Sequence, residues 1–168
     1  MILLDRDGVL NTDRTDSVRG VADLQIEAGA AEGCRLLHGA GYPLVVISNQ
    51  SAVGRGWMSA ADLDAVNAEL NRRLGGVITA WYVCPHGPDD GCRCRKPDTG
   101  LLEQAQAEFG FDPATTWFVV DADRDVEAAT RFGCRPALVR TGKGAAAIAA
   151  HPEVPAFADL ADFARSVV

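Results

Sequence analysis

A doubly wound, parallel α/β sheet is the architecture encoded in this 168-residue chain. Three observations carry that expectation. Short apolar runs alternate with segments of helical periodicity along the whole length. The runs are continuous rather than alternating, as strands covered on both faces require. Polar residues suited to chemistry follow several runs at once, where the carboxyl ends of parallel strands would gather them.

The first strand is "MILL", followed by a helix in "AGAAEGCRLLHGAG" with Ala30, Cys34, Leu37 and Ala40 near one face. "YPLVVIS" is the second strand, β-branched and of strand length. "SAADLDAVNAELNRRLG" begins with Ser59 and Asp62 in capping-box spacing and carries Leu63, Val66 and Leu70 on one helical stripe. "GVITAWYVC" is the third strand, and "GLLEQAQAEFG" the next helix, closed by a glycine. "TWFVV", "DVEAATRFG" and "RPALV" then read as strand, helix and strand, "GAAAIAA" as a plain helix, and "FADLADFARSVV" as a terminal helix. No repeat or linker interrupts this order, so residues 1–168 read as one domain.

Bulk chemistry narrows the function. Apolar residues make up 48% and charged residues 23%, as in ordinary globular proteins. A net charge of −7 argues against a nucleic-acid or membrane-surface partner. No apolar run approaches a membrane span, and an acidic motif at position 5 does not suit a signal peptide, so the cytoplasm is the expected compartment. A small anionic ligand would have to be drawn by local cations or a metal.

The first strand ends in Asp5-Arg6-Asp7-Gly8, the second in Ser48-Asn49-Gln50-Ser51, and the fourth in Asp121, with Asp123 and Asp125 just beyond. Arg95 and Lys96 precede the third helical segment. Acidic residues after an apolar run are common turn formers, but four polar groups at equivalent ends of a parallel sheet point to a common site. Hydroxyls, amides and backbone N–H groups can bind phosphate oxygens. Clustered carboxylates need a hard cation, and all-oxygen ligation suits Mg²⁺. Phosphoryl transfer through an aspartyl phosphate uses such a set.

Three of the five cysteines lie within eleven residues, in "CPHGPDDGCRC". Cys84, His86, Cys92 and Cys94 have the spacing C-x-H-x5-C-x-C, enough for a closed tetrahedral Zn²⁺ site over residues 84–94. In a reducing compartment that clustering reads as metal rather than disulfide. Cys34 and Cys134 read as small core residues, and His38 and His151 as surface or helix-end residues.

The ordered stretches "LLDRDGVLN", "VISNQS", "RKP" and "DADRD" resemble the four motifs of the haloacid dehalogenase (HAD) superfamily, spanning residues 2–125. The resemblance implies Asp5 as nucleophile and Asp7 as general acid/base. It implies Ser48 and Lys96 as phosphate ligands, and Mg²⁺ held by Asp5, the Asp7 backbone and Asp121, with Asp125 in support. Arg6, Asn49, Gln50 and Ser51 join the phosphate-binding candidates. The intervals between motifs leave no room for a cap domain, so an open site and a monomer are expected.

Within the superfamily the zinc loop is similar to that of the branch containing D-glycero-D-manno-heptose 1,7-bisphosphate 7-phosphatases and histidinol-phosphate phosphatases. "SNQSAVGRG" and "LVRTGKG" lean toward the heptose enzymes, for which Arg55, Arg95 and Lys143 are candidate cations for a second phosphate and Asp13 a substrate contact. Val120 and Ala122 stand where the family commonly has glycine and a polar residue, and Arg14-Thr15-Asp16 where it has an "HGY"-like stretch. The alternatives are a histidinol-phosphate or other small phosphate-ester phosphatase, or a catalytically weak phosphate-binding regulatory domain.

Overall fold

The computed structural model describes residues 1–168. Six strands form one parallel sheet: β1 (Ile2–Leu4), β2 (Leu44–Asn49), β3 (Ile78–Cys84), β4 (Trp117–Val120), β5 (Arg135–Val139) and β6 (Ala156–Phe157). Their order is β3-β2-β1-β4-β5-β6, with β1 central. Leu3 is in register with Val45 of β2 and Phe118 of β4. The chain reverses its direction of travel across the sheet between β3 and β4. That switch opens a crevice beside β1, at the carboxyl ends of the strands.

Alternate side chains of each strand feed two cores. Ile2, Leu4, Leu44, Val46 and Val119 point to one, packed under α1 (Ala30–Gly39), α3 (Ala60–Arg73) and α7 (Leu160–Val167). Leu3, Val45, Ile47, Phe118 and Val120 point to the other, under α4 (Gly100–Phe109), α5 (Asp123–Phe132) and α6 (Gly144–Ala150). Burial on both faces explains why these strands read as unbroken apolar runs. No helix is long and apolar enough to cross a membrane.

The capping box forms as predicted. Ser59 Oγ accepts from the Asp62 N–H at 3.1 Å, and the Asp62 carboxylate accepts from the Ser59 N–H at 2.9 Å. Four details differ from expectation. Ala40 lies past the end of α1 and is exposed, leaving Ala30, Cys34 and Leu37 as the buried stripe. β3 is an edge strand whose residues 79–83 are only partly covered. Phe157, expected to start the last helix, instead forms β6 with Ala156, and the helix begins after Asp159, whose carboxylate accepts from the Asp162 N–H at 2.8 Å. Residues Ser51–Gly54 make one further helical turn, α2, directly after β2.

Candidate active site

The carboxyl ends of β1, β2 and β4 open into a cleft of about 390 Å³. Asp5, Asp7, Gln50, Lys96 and Asp121 form its base, and Asp13, Arg14, Thr15 and Ser17 of the β1–α1 loop form one wall. Arg55, Trp57, Arg95, Arg124 and Lys143 contribute the rest of the rim, together with Asn49 and Ser51.

Lys96 is fully buried and its ammonium has three neighbours. Nζ donates to the Ile47 carbonyl at 2.8 Å, stands 2.9 Å from Asp5 Oδ1, and stands 3.0 Å from Asp125 Oδ1. Burial works against its charge, but Asp125 and Asp5 outweigh it and hold its pKa above the ordinary value. Asn49 fixes the backbone of this lysine at both ends: its Oδ1 accepts from the Lys96 N–H at 3.0 Å and its Nδ2 donates to the Lys96 carbonyl at 3.1 Å. Asn49 therefore braces the cation, in addition to lining the cleft.

Asp5, Asp121 and Asp125 bring carboxylate oxygens within 4.8 Å of one another, all buried. Burial, with the charges of Asp125 and Asp121 against the pull of Lys96, holds the Asp5 carboxyl well above the usual range. Burial also pushes Asp121 up to about 6, although its Oδ2 accepts the Lys143 N–H at 2.8 Å. Gly8 and Gly142 wrap Asp121 so closely that a Cβ on either would fall 2.0 or 2.2 Å from its Oδ2. Both buried oxygens of Asp125 lack a hydrogen bond; its pairing with Lys96 is electrostatic. Three carboxylates beside one fully buried ammonium, with oxygens left unbonded, fit a hard divalent cation.

Asp7 lines the same cleft but is not part of that carboxylate cluster. Its carboxylate takes hydrogen bonds from Asn11 Nδ2 at 2.8 Å, Gln50 Nε2 at 2.6 Å and Arg6 Nη2 at 3.0 Å. Burial opposes its ionisation, but Arg6, Asn11 and Gln50 prevail and hold the pKa below the ordinary value. Its side chain is thus apart from the carboxylate cluster, consistent with only its backbone serving a metal.

Several expectations need correction. Arg6 is not in the cleft: its side chain is completely buried and turned toward Asp7 and Asn67, so its guanidinium cannot contact phosphate there. Ser48 lies behind Gln50, whose Nε2 donates to its Oγ at 2.9 Å and to Asp7 Oδ2 at 2.6 Å, so the amide has no N–H left over while the Ser48 hydroxyl keeps its own proton to donate. Lys143 Nζ pairs with Asp13 Oδ2 at 2.6 Å, which ties two candidate substrate contacts to each other. The supporting place expected of Asp125 needs no correction: it lies beside Lys96, while Asp123 is exposed and pairs with His151 outside the cleft.

The metal-loop residues converge as expected. Cys84 Sγ lies 3.6 Å from Cys92 Sγ and 3.2 Å from Cys94 Sγ, and His86 Nδ1 lies 3.2 Å from Cys94 Sγ. Thiolates bound at about 2.3 Å around a tetrahedral centre stand about 3.8 Å apart, so this slightly contracted cluster fits Zn²⁺. Burial pushes the Cys84 thiol up to about 12, so loading a metal must release protons. Arg95 Nη1 reaches the His86 carbonyl at 3.4 Å, linking the loop to the cleft.

Trp57 and Arg124 escaped the sequence reading: Trp57 lies on a loop whose course no periodicity announces, and Arg124 sits in the first turn of α5 among the acidic residues that drew the attention there. Trp57 carries Arg19 and Arg55 over its ring, with Cζ at 4.5 and 4.9 Å from the centroid. Asn67 also escaped, although a polar residue between Val66 and Leu70 on a buried helical stripe was a visible signal.

Residues 93–164 match the HAD-hydrolase-like family. The chain is 41% identical over 147 residues to a D-glycero-β-D-manno-heptose-1,7-bisphosphate 7-phosphatase of Pseudomonas aeruginosa, covering 86% of this chain and 83% of the relative. It is 37% identical over its whole length to the Neisseria meningitidis protein of the same name, covering 94% of that relative. Among solved structures, a D,D-heptose 1,7-bisphosphate phosphatase from B. bronchiseptica, complexed with magnesium and phosphate, superposes with a TM-score of 0.94 at 35% identity, covering 99% of this chain and 96% of that one.

Proposed function

The chain belongs to the D-glycero-β-D-manno-heptose-1,7-bisphosphate 7-phosphatases of the HAD superfamily, and from that premise we propose that it removes the 7-phosphate of the heptose bisphosphate through an aspartyl phosphate on Asp5. The observation that carries the reading is the pair of aspartates ending β1: Asp5 buried against Lys96, and Asp7 held in the same cleft by Asn11, Gln50 and Arg6.

Asp5 Oδ attacks phosphorus, and Lys96 balances the charge of the attacking carboxylate and the phosphate oxygens. The Ser48 and Ser51 hydroxyls, with the backbone N–H groups around them, bind those oxygens. Asp7, which its three donors hold ionised in the free protein, takes up a proton as the negative charge of the substrate phosphate arrives beside it, gives that proton to the leaving sugar oxygen, then takes one from the water that opens the aspartyl phosphate. Asp5, the Asp7 carbonyl and Asp121 would hold Mg²⁺, with Asp125 supporting Lys96 beside them. Such an ion supplies charge neutralisation between carboxylate and phosphate. Arg55 and Arg95, with Arg14 and Arg124 beside them, form the cationic rim for the second phosphate, whose attraction must overcome a protein of net charge −7.

Cys84, His86, Cys92 and Cys94 would hold a structural Zn²⁺, which would brace the loop that leads into Arg95 and Lys96. A four-ligand thiolate site suits a reducing cytoplasm.

The test is Mg²⁺-dependent phosphate release from the heptose bisphosphate and from histidinol phosphate, with Asp5→Asn as blank. The bisphosphate is expected to win by about a hundredfold in kcat/KM, about 2.7 kcal/mol of transition-state discrimination. Preference for histidinol phosphate would overturn the substrate, and no turnover of either above the blank would overturn the activity.

A further inference from the structure

Arg6 is a fully buried arginine for which the chemistry above has no direct use. Its guanidinium is held at two ends only. Nη1 donates to Asn67 Oδ1 at 3.1 Å, Nη2 donates to the two Asp7 oxygens at 3.0 and 3.3 Å, and Nε has no partner. Asn67 sits on the buried stripe of α3, 61 residues away in sequence and only 8% exposed, where an apolar residue would pack at lower cost.

The Asp7 carboxylate needs no third donor merely to stay hydrated, because Asn11 Nδ2 takes Oδ1 and Gln50 Nε2 takes Oδ2. Arg6 adds one charged nitrogen, Nη2, set between the two oxygens, which resists rotation of the carboxylate away from that side. A planar group gripping one partner can still swing, and Asn67 is what holds its far end. We propose that Asn67 is a positioning residue that, through Arg6, sets the Asp7 carboxylate in the orientation needed to protonate the leaving oxygen. The inference rests on the phosphatase reading.

Its signature follows from the chemistry of the step. As Asp5 attacks, the bond from phosphorus to the leaving oxygen breaks and its electron pair stays on that oxygen. A sugar alkoxide needs the proton from Asp7 at that moment. A nitrophenolate is stable as an anion and leaves without one. Misorienting Asp7 should therefore slow the sugar ester and spare the aryl ester, whereas general damage to the fold would slow both.

The experiment measures kcat and KM of the Mg²⁺-loaded enzyme on heptose bisphosphate and p-nitrophenyl phosphate, for wild type, Asn67→Leu and Asn67→Asp. Asn67→Leu is expected to lose about thirtyfold in kcat on the sugar ester, within the reach of acid catalysis, and less than about threefold on the aryl ester, with KM little changed. Asn67→Asp keeps an acceptor for Nη1 and is expected to recover the sugar ester activity. Should Asn67→Leu not fold, Asn67→Ser, whose hydroxyl falls short of Nη1, gives the same readout. Equal losses on both esters, or a folded Asn67→Asp that recovers nothing, would overturn the proposal while leaving the phosphatase reading intact. A wild type that hydrolyses neither ester would overturn both.

Discussion

Lys96 Nζ stands 2.9 Å from Asp5 Oδ1 at the base of the cleft, with both side chains almost wholly inaccessible. Removing the cation would leave Asp5 and Asp125 as buried charges facing Asp121. Breaking a buried pair costs on the order of 3–5 kcal/mol, unless the carboxylates protonate instead. Lys96→Met should therefore lower kcat by about a hundredfold or more through lost charge stabilisation. Its deficit in Tm should be larger at about pH 8 than at about pH 5, because the orphaned carboxyls retain protons in acid. A pH-independent loss of Tm would mean that Lys96 acts by packing rather than charge.

The same crowding makes the nucleophile costly to keep. Burial and its neighbours hold the Asp5 carboxyl well above the usual range, so its ionised form is disfavoured in the folded protein. Asp5→Asn removes one of three negative charges at nearly constant volume. The metal-free variant is expected to melt above the wild type at about pH 8 while losing activity a thousandfold or more. Thermal melts and phosphate release on the same preparation check both halves, and a lower Tm would contradict the electrostatic account.

These residues show what could be read in advance. β1, β2, β4 and β5 were legible because both their faces are buried, and the capping box at Ser59 because it depends on two residues three apart. Asp5, Asp7, Lys96 and Asp121 were legible because strand ends of a parallel sheet converge. Ala156 and Phe157 were not, since a two-residue strand acquires its identity from pairing with Leu138 and Val139. The place of the Arg6 side chain was misread for a related reason: a residue beside a site in sequence can turn its side chain into the core.

The thiol cluster makes a separable prediction. Purified protein is expected to carry about one Zn²⁺ per chain, with affinity falling in acid because the thiols must lose their protons. Cys92→Ser should weaken zinc and lower Tm, and should also reduce kcat, since Arg95 is tied to the His86 carbonyl and Lys96 follows it directly. Metal analysis beside kinetics decides it. A zinc-free variant with full activity would sever the loop from the cleft.

Asp121 predicts how metal-free stability depends on pH. Burial raises its carboxyl from 3.8 to about 6. A carboxyl that binds its proton more tightly folded than unfolded favours folding while protonated, so that contribution is full in acid and lost as pH rises through about 6. The shift corresponds to on the order of 3 kcal/mol. Mg²⁺ needs the ionised form, so the Tm gained at saturating Mg²⁺ should grow between about pH 5 and pH 7.5. A gain that is flat across this range would remove Asp121 from the metal site.

The cradle around Asp121 gives the sharpest steric test. A Cβ on Gly142 would stand 2.2 Å from Asp121 Oδ2 and 2.6 Å from the Gly8 Cα, so Gly142→Ala must push the carboxylate or the turn away. Gly142 also has φ +58, and an alanine in that conformation costs about 1–2 kcal/mol wherever it occurs. Gly110 supplies the control, with φ +64 at the end of α4 and no atom within 4 Å of its virtual Cβ. Both alanine variants should lose similar backbone stability. Only Gly142→Ala should raise the Mg²⁺ concentration needed for half-maximal activity, by about tenfold or more, because only there is a second wall around Asp121 displaced. Metal titrations of the two variants at matched fractions folded separate the effects. If both shift the Mg²⁺ requirement equally, the close approach of Gly142 to Asp121 has no bearing on metal binding.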